Sequence, residues 1–403
     1  MSSKKNLFLF TAEFPFGKSE AFIENEINYL ATSFENVYII PAIKSEVLRA
    51  TPENCLIVDM DYSDDGYTKA SVLMKYPFIL LNLYLTELKS NNTHIRDKKK
   101  LLSECFRMVF KAIKLEHALC DYNLEDAIFY SYWMDGWATL LSILRAGNRI
   151  PDFLTRAHRF DLYEDRRSEN YIPFRSFQME HADIISIISQ HGVDYLKGKY
   201  PVFANKISLD YLGTNDNGLN REKTSDQIRI VSLSNLVLVK RVTLIVALLH
   251  CIDLPVEWTH IGDGILMDDL KLKIGKLPAR HKVELKGRMS NQEVLNFMKT
   301  NPITFLINVS SSEGLPVSIM EAISFGIPVL ATDVGGTNEI VNKSTGVLIN
   351  KDFNVEELAQ KIQDVYVEKF SNAEFRTGVR DFWIRNFSAK PNYAKFVEKL
   401  ITI

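Results

Sequence analysis

Residues 303–350 constrain the fold more than any other stretch of this 403-residue chain. The apolar run "ITFLINVS" (303–310) reads as a strand, and Ser310–Ser312, Gly314 and Pro316 mark a turn into a helix that Gly326 and Pro328 stop near Phe325. Pro suits the first helical position because its missing N–H would have no partner there. Two more strands, "PVLAT" (328–332) and "GVLIN" (346–350), follow. Strands alternating with helices in this way imply a mostly parallel, doubly wound sheet.

The same alternation occurs twice along the chain. In the first half, strands are expected at 7–11, in "NVYIIPA", at 127–133, at 153–158 and at 182–189, with a helical insertion rich in Leu, Lys and Tyr at about 68–119. The stretch 212–226 is crowded with Gly, Asn, Asp and charge, and reads as a linker. Beyond it, "IRIVSLS", "VEWTHIGDG" and "VELKGR" resume the strands. We therefore expect an α/β protein of two Rossmann-like domains, 1–212 and 213–382, with an amphipathic helix at 383–403 packing back on the first.

Bulk properties exclude several classes. With 46% hydrophobic and 24% charged residues the chain belongs among soluble globular proteins, and a net charge of −2 supplies no field to gather nucleic acid. The four cysteines are scattered without metal-ligand spacing, which fits reduced, buried thiols. The apolar runs at 76–86 and 242–252 are too short to span a bilayer. Together these features suggest the cytoplasm.

Within "SSSEGLPVSIMEAISFGIPVLATDVGG" (310–336), Glu313 and Glu321 interrupt small and apolar residues. A helix that starts beyond the carboxyl end of a parallel strand offers free N–H groups to a phosphate. Carboxylates beside such a site would repel the phosphate unless they address hydroxyls, to which an ionised carboxylate is a strong acceptor. A nucleotide-sugar has both groups, with sugar hydroxyls on one side of its diphosphate and a ribose on the other. The plainer reading makes each glutamate a helix-dipole partner or a solvated side chain. The Gly-Leu-Pro turn and the apolar neighbours Ile319, Met320, Ala322 and Ile323 weigh against it.

These residues resemble the signature of the retaining family-four glycosyltransferases with the GT-B fold. Further similarity lies in "FPFGKSEAFIENEI", "YSYWMDGWA", "RAHRFDLYEDRR" and "NFSAKPNYAKFVEKL", as in bacterial transferases that build surface polysaccharides. The resemblance implies two Rossmann-like domains facing each other across a cleft, the second holding a UDP- or GDP-sugar and the first an acceptor, with no cofactor and no metal. It assigns Glu313 to the donor-sugar hydroxyls, Glu321 to the ribose, and the amides of Gly314 and Leu315 to phosphate or sugar oxygens. Lys240 matches the family's phosphate-binding lysine and His158 its first-domain histidine facing the donor sugar. Asn235 stands where the family usually has arginine, five residues before that lysine, which leaves a two-cation clamp incomplete unless Arg241 compensates.

Lesser candidates complete the set. Gly17 matches the family's first-domain glycine loop without its usual pair, Gly262 in "IGDG" is a candidate for approaching the nucleotide, and Arg288 ends "VELKGR". Arg156, Arg159, Arg166 and Arg167 form either a self-paired surface or an acceptor pyrophosphate site. The "IRDKKK" run with the apolar helix at 76–86 suggests peripheral contact with the inner face of a membrane. The function expected is retaining sugar transfer to a glycan acceptor, lipid-linked and destined for a surface polysaccharide. The alternative is a catalytically silent GT-B subunit that scaffolds or activates a partner transferase; a phosphorylase of this architecture lacks a cofactor-lysine context here.

Overall fold

A computed structural model describes residues 5–17, 20, 22–46, 49–60, 63, 65–90, 97–167, 170–220 and 227–403. The chain divides into two compact units, Met1–Tyr211 with Tyr393–Ile403, and Leu212–Asn392. The C-terminal segment thus joins the first unit from Tyr393, where the sequence suggests 383.

In the first unit, strands β1 (Leu7–Thr11), β2 (Val37–Pro41), β3 (Cys55–Ile57), β4 (Ile128–Ser131), β5 (Phe153–Ala157), β6 (Ile184–Ile187) and β7 (Ile207–Leu209) form a sheet in the order β3-β2-β1-β4-β5-β6-β7. Every pairing is parallel, with Leu7 opposite Val37 on one side and Ile128 on the other. Successive side chains point to opposite faces, so Phe8 and Phe10 enter one core while Leu7 and Leu9 enter the other. Covering both faces is what a parallel sheet requires. Helix Ile23–Ser33 and the terminal helix Ala389–Ile401 contribute Ile27, Leu30, Phe396 and Leu400 to one face. The other takes Leu140, Leu144, Phe177 and the insertion at 68–119, which consists of helices Lys69–Lys75, Pro77–Ser90 and Lys98–Ala118. Its charged break at 93–100 lies outside the described residues up to 96, as do 221–226 of the expected linker.

In the second unit, β8 (Ile228–Leu233), β9 (Val256–Ile261), β10 (Lys282–Gly287), β11 (Phe305–Asn308), β12 (Val329–Thr332) and β13 (Gly346–Ile349) form a parallel sheet in the order β10-β9-β8-β11-β12-β13. Its core includes Ile230, Trp258, Phe305, Ile307 and Leu330. Two strands have no counterpart in the sequence reading, β3 and β7. Each is a three-residue edge strand, too short for a periodic signal to develop. Among the described residues no helix is long and apolar enough to cross a membrane.

Arg156 corrects the expected basic cluster. It lies in the core of the first unit with no exposed surface, donates to the equally buried Glu26, and sits 3.8 Å from the Phe396 ring centroid. It is therefore closed to an acceptor. Arg167 lies over the Phe160 ring at 4.1 Å. Removing one partner of a buried pair strands the other charge, so Glu26→Ala is expected to cost about 3–5 kcal/mol in urea unfolding. Glu24→Ala, which breaks the partly exposed pair with Arg49, should cost less than about 1 kcal/mol.

Candidate active site

The strand order of the second sheet reverses between β8 and β11, and chains leaving these two strands must diverge above the sheet. Both loops that leave this point carry candidate residues. Beyond β8, a short 3-10 turn, Leu238–Lys240, places Lys240; beyond β11, the chain passes Ser310 and Glu313 and enters helix Val317–Ser324. The loops are tied together, because Ser311 N–H donates to the Val239 carbonyl at 2.8 Å.

Lys240 Nζ donates to Glu313 Oε1 at 2.6 Å, and Asn308 Nδ2 donates to the same oxygen at 3.2 Å. Glu313 is 7% exposed. Burial alone would raise its pKa, but Lys240, with Ser310 and Asn308, overcomes that and holds the carboxyl below its ordinary value. The carboxylate is therefore ionised near neutral pH. Gly314, Leu315, Val317 and Ser318 lead into the helix, and their amides donate to no acceptor among the described residues. Free N–H groups at a helix start favour an anion. A recess at this point is lined by Ser232, Ser234, Lys240, Asn308 and Ser310.

Glu321 is the fifth residue of the same helix, and its surroundings are different. It is buried, no cation pairs with it among the described residues, and its carboxylate accepts from Asn291 Nδ2 at 2.7 Å. Burial pushes its carboxyl up to about 7, with Asn291 offsetting part of the rise. Asn291 opens helix Asn291–Thr300, which Ser290 and Glu293 cap reciprocally. That capping box is legible in "SNQE" and would have located Asn291 at a helix start, but not its contact with Glu321.

Backbone approach explains two glycines. Gly335 has φ +56°, and a Cβ there would lie 2.0 Å from the Glu313 carbonyl oxygen, while Gly336 N–H donates to Gly314 at 2.8 Å. Gly262 has φ +143°, and a Cβ would lie 1.9 Å from the Ser234 carbonyl oxygen. Neither place admits a side chain. Gly262 thus holds the β9 loop against the β8 loop.

One expected anion contact is placed otherwise. Arg241 adopts a left-handed backbone, and its guanidinium donates to the carbonyls of Val309, Ser310 and Lys351, at 2.8 Å for Val309. It braces the β11 loop and does not compensate for Asn235, which is exposed in the loop after β8. Arg288 is exposed just past the edge strand β10. In the first unit, the Gly17 carbonyl accepts from Arg49.

His158 follows β5 in the first unit, 7% exposed, with its ring stacked on Tyr132 at 5.0 Å and against Trp133 at 4.4 Å. Among the described residues neither ring nitrogen has a hydrogen-bond partner. Burial and then Arg156 push its pKa well down, so the imidazole is neutral. Its backbone is held by Asp161, which accepts from the amides of His158 and Met134 at 2.7 Å each. Glu20 accepts from the amides of Ala12, Glu13 and Phe14 and from the Trp133 indole, fixing the loop after β1 beside this aromatic group. Glu20 and Asp161 lie within stretches that carry the family resemblance, but their roles could not be read there, because both accept from backbone amides that only the fold assembles.

Comparison with known proteins agrees with this architecture. Residues 219–380 match the family described as glycosyl transferases group 1. An uncharacterized glycosyltransferase of Methanocaldococcus jannaschii, MJ1178, is 33% identical over 145 residues, covering 36% of this chain and 39% of that protein. The amylovoran biosynthesis glycosyltransferase AmsK of Erwinia amylovora is 28% identical over 150 residues, covering 34% and 36%. The chain thus aligns with less than two fifths of the length of these curated relatives. Among solved structures, Anabaena Alr3699/HepE in complex with UDP superposes with a TM-score of 0.68 at 14% identity, covering 99% of this chain and all of the other. Residues 219–380 therefore match the glycosyl transferases group 1 family, within a chain of GT-B fold.

Proposed function

We propose that the chain is a retaining glycosyltransferase that moves a sugar from a nucleotide-sugar, without a metal ion, to a lipid-linked glycan acceptor in surface polysaccharide synthesis. The observation that carries this reading is the Lys240–Glu313 pair beside the open amides of Gly314, Leu315, Val317 and Ser318 at the strand-order reversal. The donor's diphosphate would lie against those amides and Lys240, which together stabilise charge on the leaving group. Glu313, already ionised, would accept from donor-sugar hydroxyls, and Glu321 from the ribose. His158 is the first unit's candidate for a substrate hydrogen bond, since its buried ring nitrogens have no hydrogen-bond partner among the described residues. UDP is the first nucleotide to test, because the structurally similar HepE was solved in complex with UDP. AmsK, named for amylovoran biosynthesis, supports a polysaccharide product.

A silent scaffold or activator subunit is the second reading. It is favoured by Asn235, which brings no charge to the β8 loop, together with Arg241, which is spent on backbone carbonyls. Calorimetry with UDP, GDP and ADP separates the two readings: a transferase binds one of them, whereas absence of binding to all three at millimolar concentration supports the scaffold.

Substitution tests the two glutamates separately. Losing a hydrogen bond to a charged group costs roughly 1.5–3 kcal/mol, so Glu313→Gln should lower turnover by about one to two orders of magnitude and leave UDP affinity nearly unchanged. Glu321→Gln should weaken UDP and the nucleotide-sugar by a similar factor, since both contain the ribose. Equal loss of UDP affinity in the two variants would contradict these roles.

Glu321 also sets a pH dependence. Its folded carboxyl titrates near 7 against an ordinary 4.5, so the folded chain holds a proton that the unfolded chain releases. Its contribution to stability is therefore lost as pH rises from about 4.5 through 7 and is constant above. Ligand-free Glu321→Gln, which carries no charge, is expected to melt higher than the parent at pH 8, with the advantage shrinking toward pH 5. Finally, because Lys240 and a helix start supply the positive charge, turnover is expected to persist in EDTA; loss restored by Mg²⁺ would oppose the metal-independent mechanism.

A further inference from the structure

Helix Pro77–Ser90 is apolar on two sides. Leu80 and Leu83 enter the core, while Phe78, Leu81 and Leu85 recur on the solvent side, Phe78 being 84% exposed. The preceding helix adds Met74, 81% exposed. A face turned to water ordinarily carries charge, yet the exposed side of Pro77–Ser90 has no acidic residue. Its one carboxylate, Glu87, is buried and accepts from the Phe174 amide. The row ends in Lys89, and the next described helix opens with Lys98, Lys99 and Lys100; all four are exposed and form no ion pair among the described residues. Residues 69–118 hold ten Lys and Arg against four Asp and Glu, in a chain whose net charge is −2.

We propose that these inserted helices dock on an anionic membrane surface, with Phe78, Leu81 and Leu85 entering the boundary between headgroups and acyl chains while the lysines meet anionic headgroups. Apolar side chains on one helix face beside a cluster of lysines combine the two attractions such docking uses. Charge selects this occupant over a second copy, because two copies meeting here would oppose two strongly basic segments. The proposal stands on this surface alone and does not depend on the transfer reaction.

Cosedimentation of the full chain with phosphatidylcholine vesicles, with and without phosphatidylglycerol, tests it. Binding is expected with the anionic vesicles and is expected to weaken as salt is added. Two variants, Phe78→Ser/Leu81→Ser/Leu85→Ser and Lys98→Glu/Lys99→Glu/Lys100→Glu, should each reduce it by about tenfold or more, with melting temperature and UDP affinity as in the parent. Equal binding to both vesicle types, binding to neither, or undiminished binding by both variants overturns the proposal. So does a dimer in sedimentation equilibrium that the Phe78/Leu81/Leu85 variant dissolves.

Discussion

The reversal of strand order between β8 and β11 is the constraint on which the candidate site depends. Strands on either side of it send their chains in opposite directions, and the gap left above the sheet is filled by loops rather than by a crossover helix. Those loops must be held close without blocking the gap. Gly262 and Gly335 allow it, since each sits where a Cβ would strike a carbonyl oxygen of the neighbouring loop. Arg241 reinforces the arrangement from below, its guanidinium gathering carbonyls of the β11 loop and of Lys351. What remains open is a helix start, one ammonium and one ionised carboxylate.

Two carboxylates on neighbouring segments are driven in opposite directions by their surroundings. Glu313 has Lys240 at 2.6 Å and is held ionised; Glu321 has a neutral amide, that of Asn291, and is pushed to about 7. Environment rather than residue type makes that difference, and it gives the pair distinct chemistry near neutral pH. Glu313 is a standing acceptor for hydroxyl groups. Glu321 becomes one at a cost that a ribose diol, donating to the ionised form, would offset. The ion pair also restrains Lys240 in the ligand-free chain while using one of the three donors of its ammonium.

Much of this was legible in the sequence because it is local. The strand, turn and helix at 303–325 announce themselves by apolar runs and by Gly and Pro at their boundaries, and the two glutamates are conspicuous within them. The alternation of strands and helices likewise shows a doubly wound α/β chain. Edge strands β3 and β7 escaped because three residues establish no period. Asn291, Glu20 and Asp161 escaped because their partners lie far along the chain or are backbone amides. Arg156 was misjudged for a related reason: a charged residue in a cluster of charges reads as surface, and only the fold shows Glu26 waiting for it in the core.

A crystal structure of this chain with UDP bound tests the central claim most directly. The account predicts the diphosphate within hydrogen-bond distance of Lys240 Nζ and of the amides of Gly314 and Leu315, with the ribose hydroxyls on Glu321. A nucleotide bound elsewhere on the chain, with the Lys240–Glu313 pair and the Glu321–Asn291 contact intact, would contradict it.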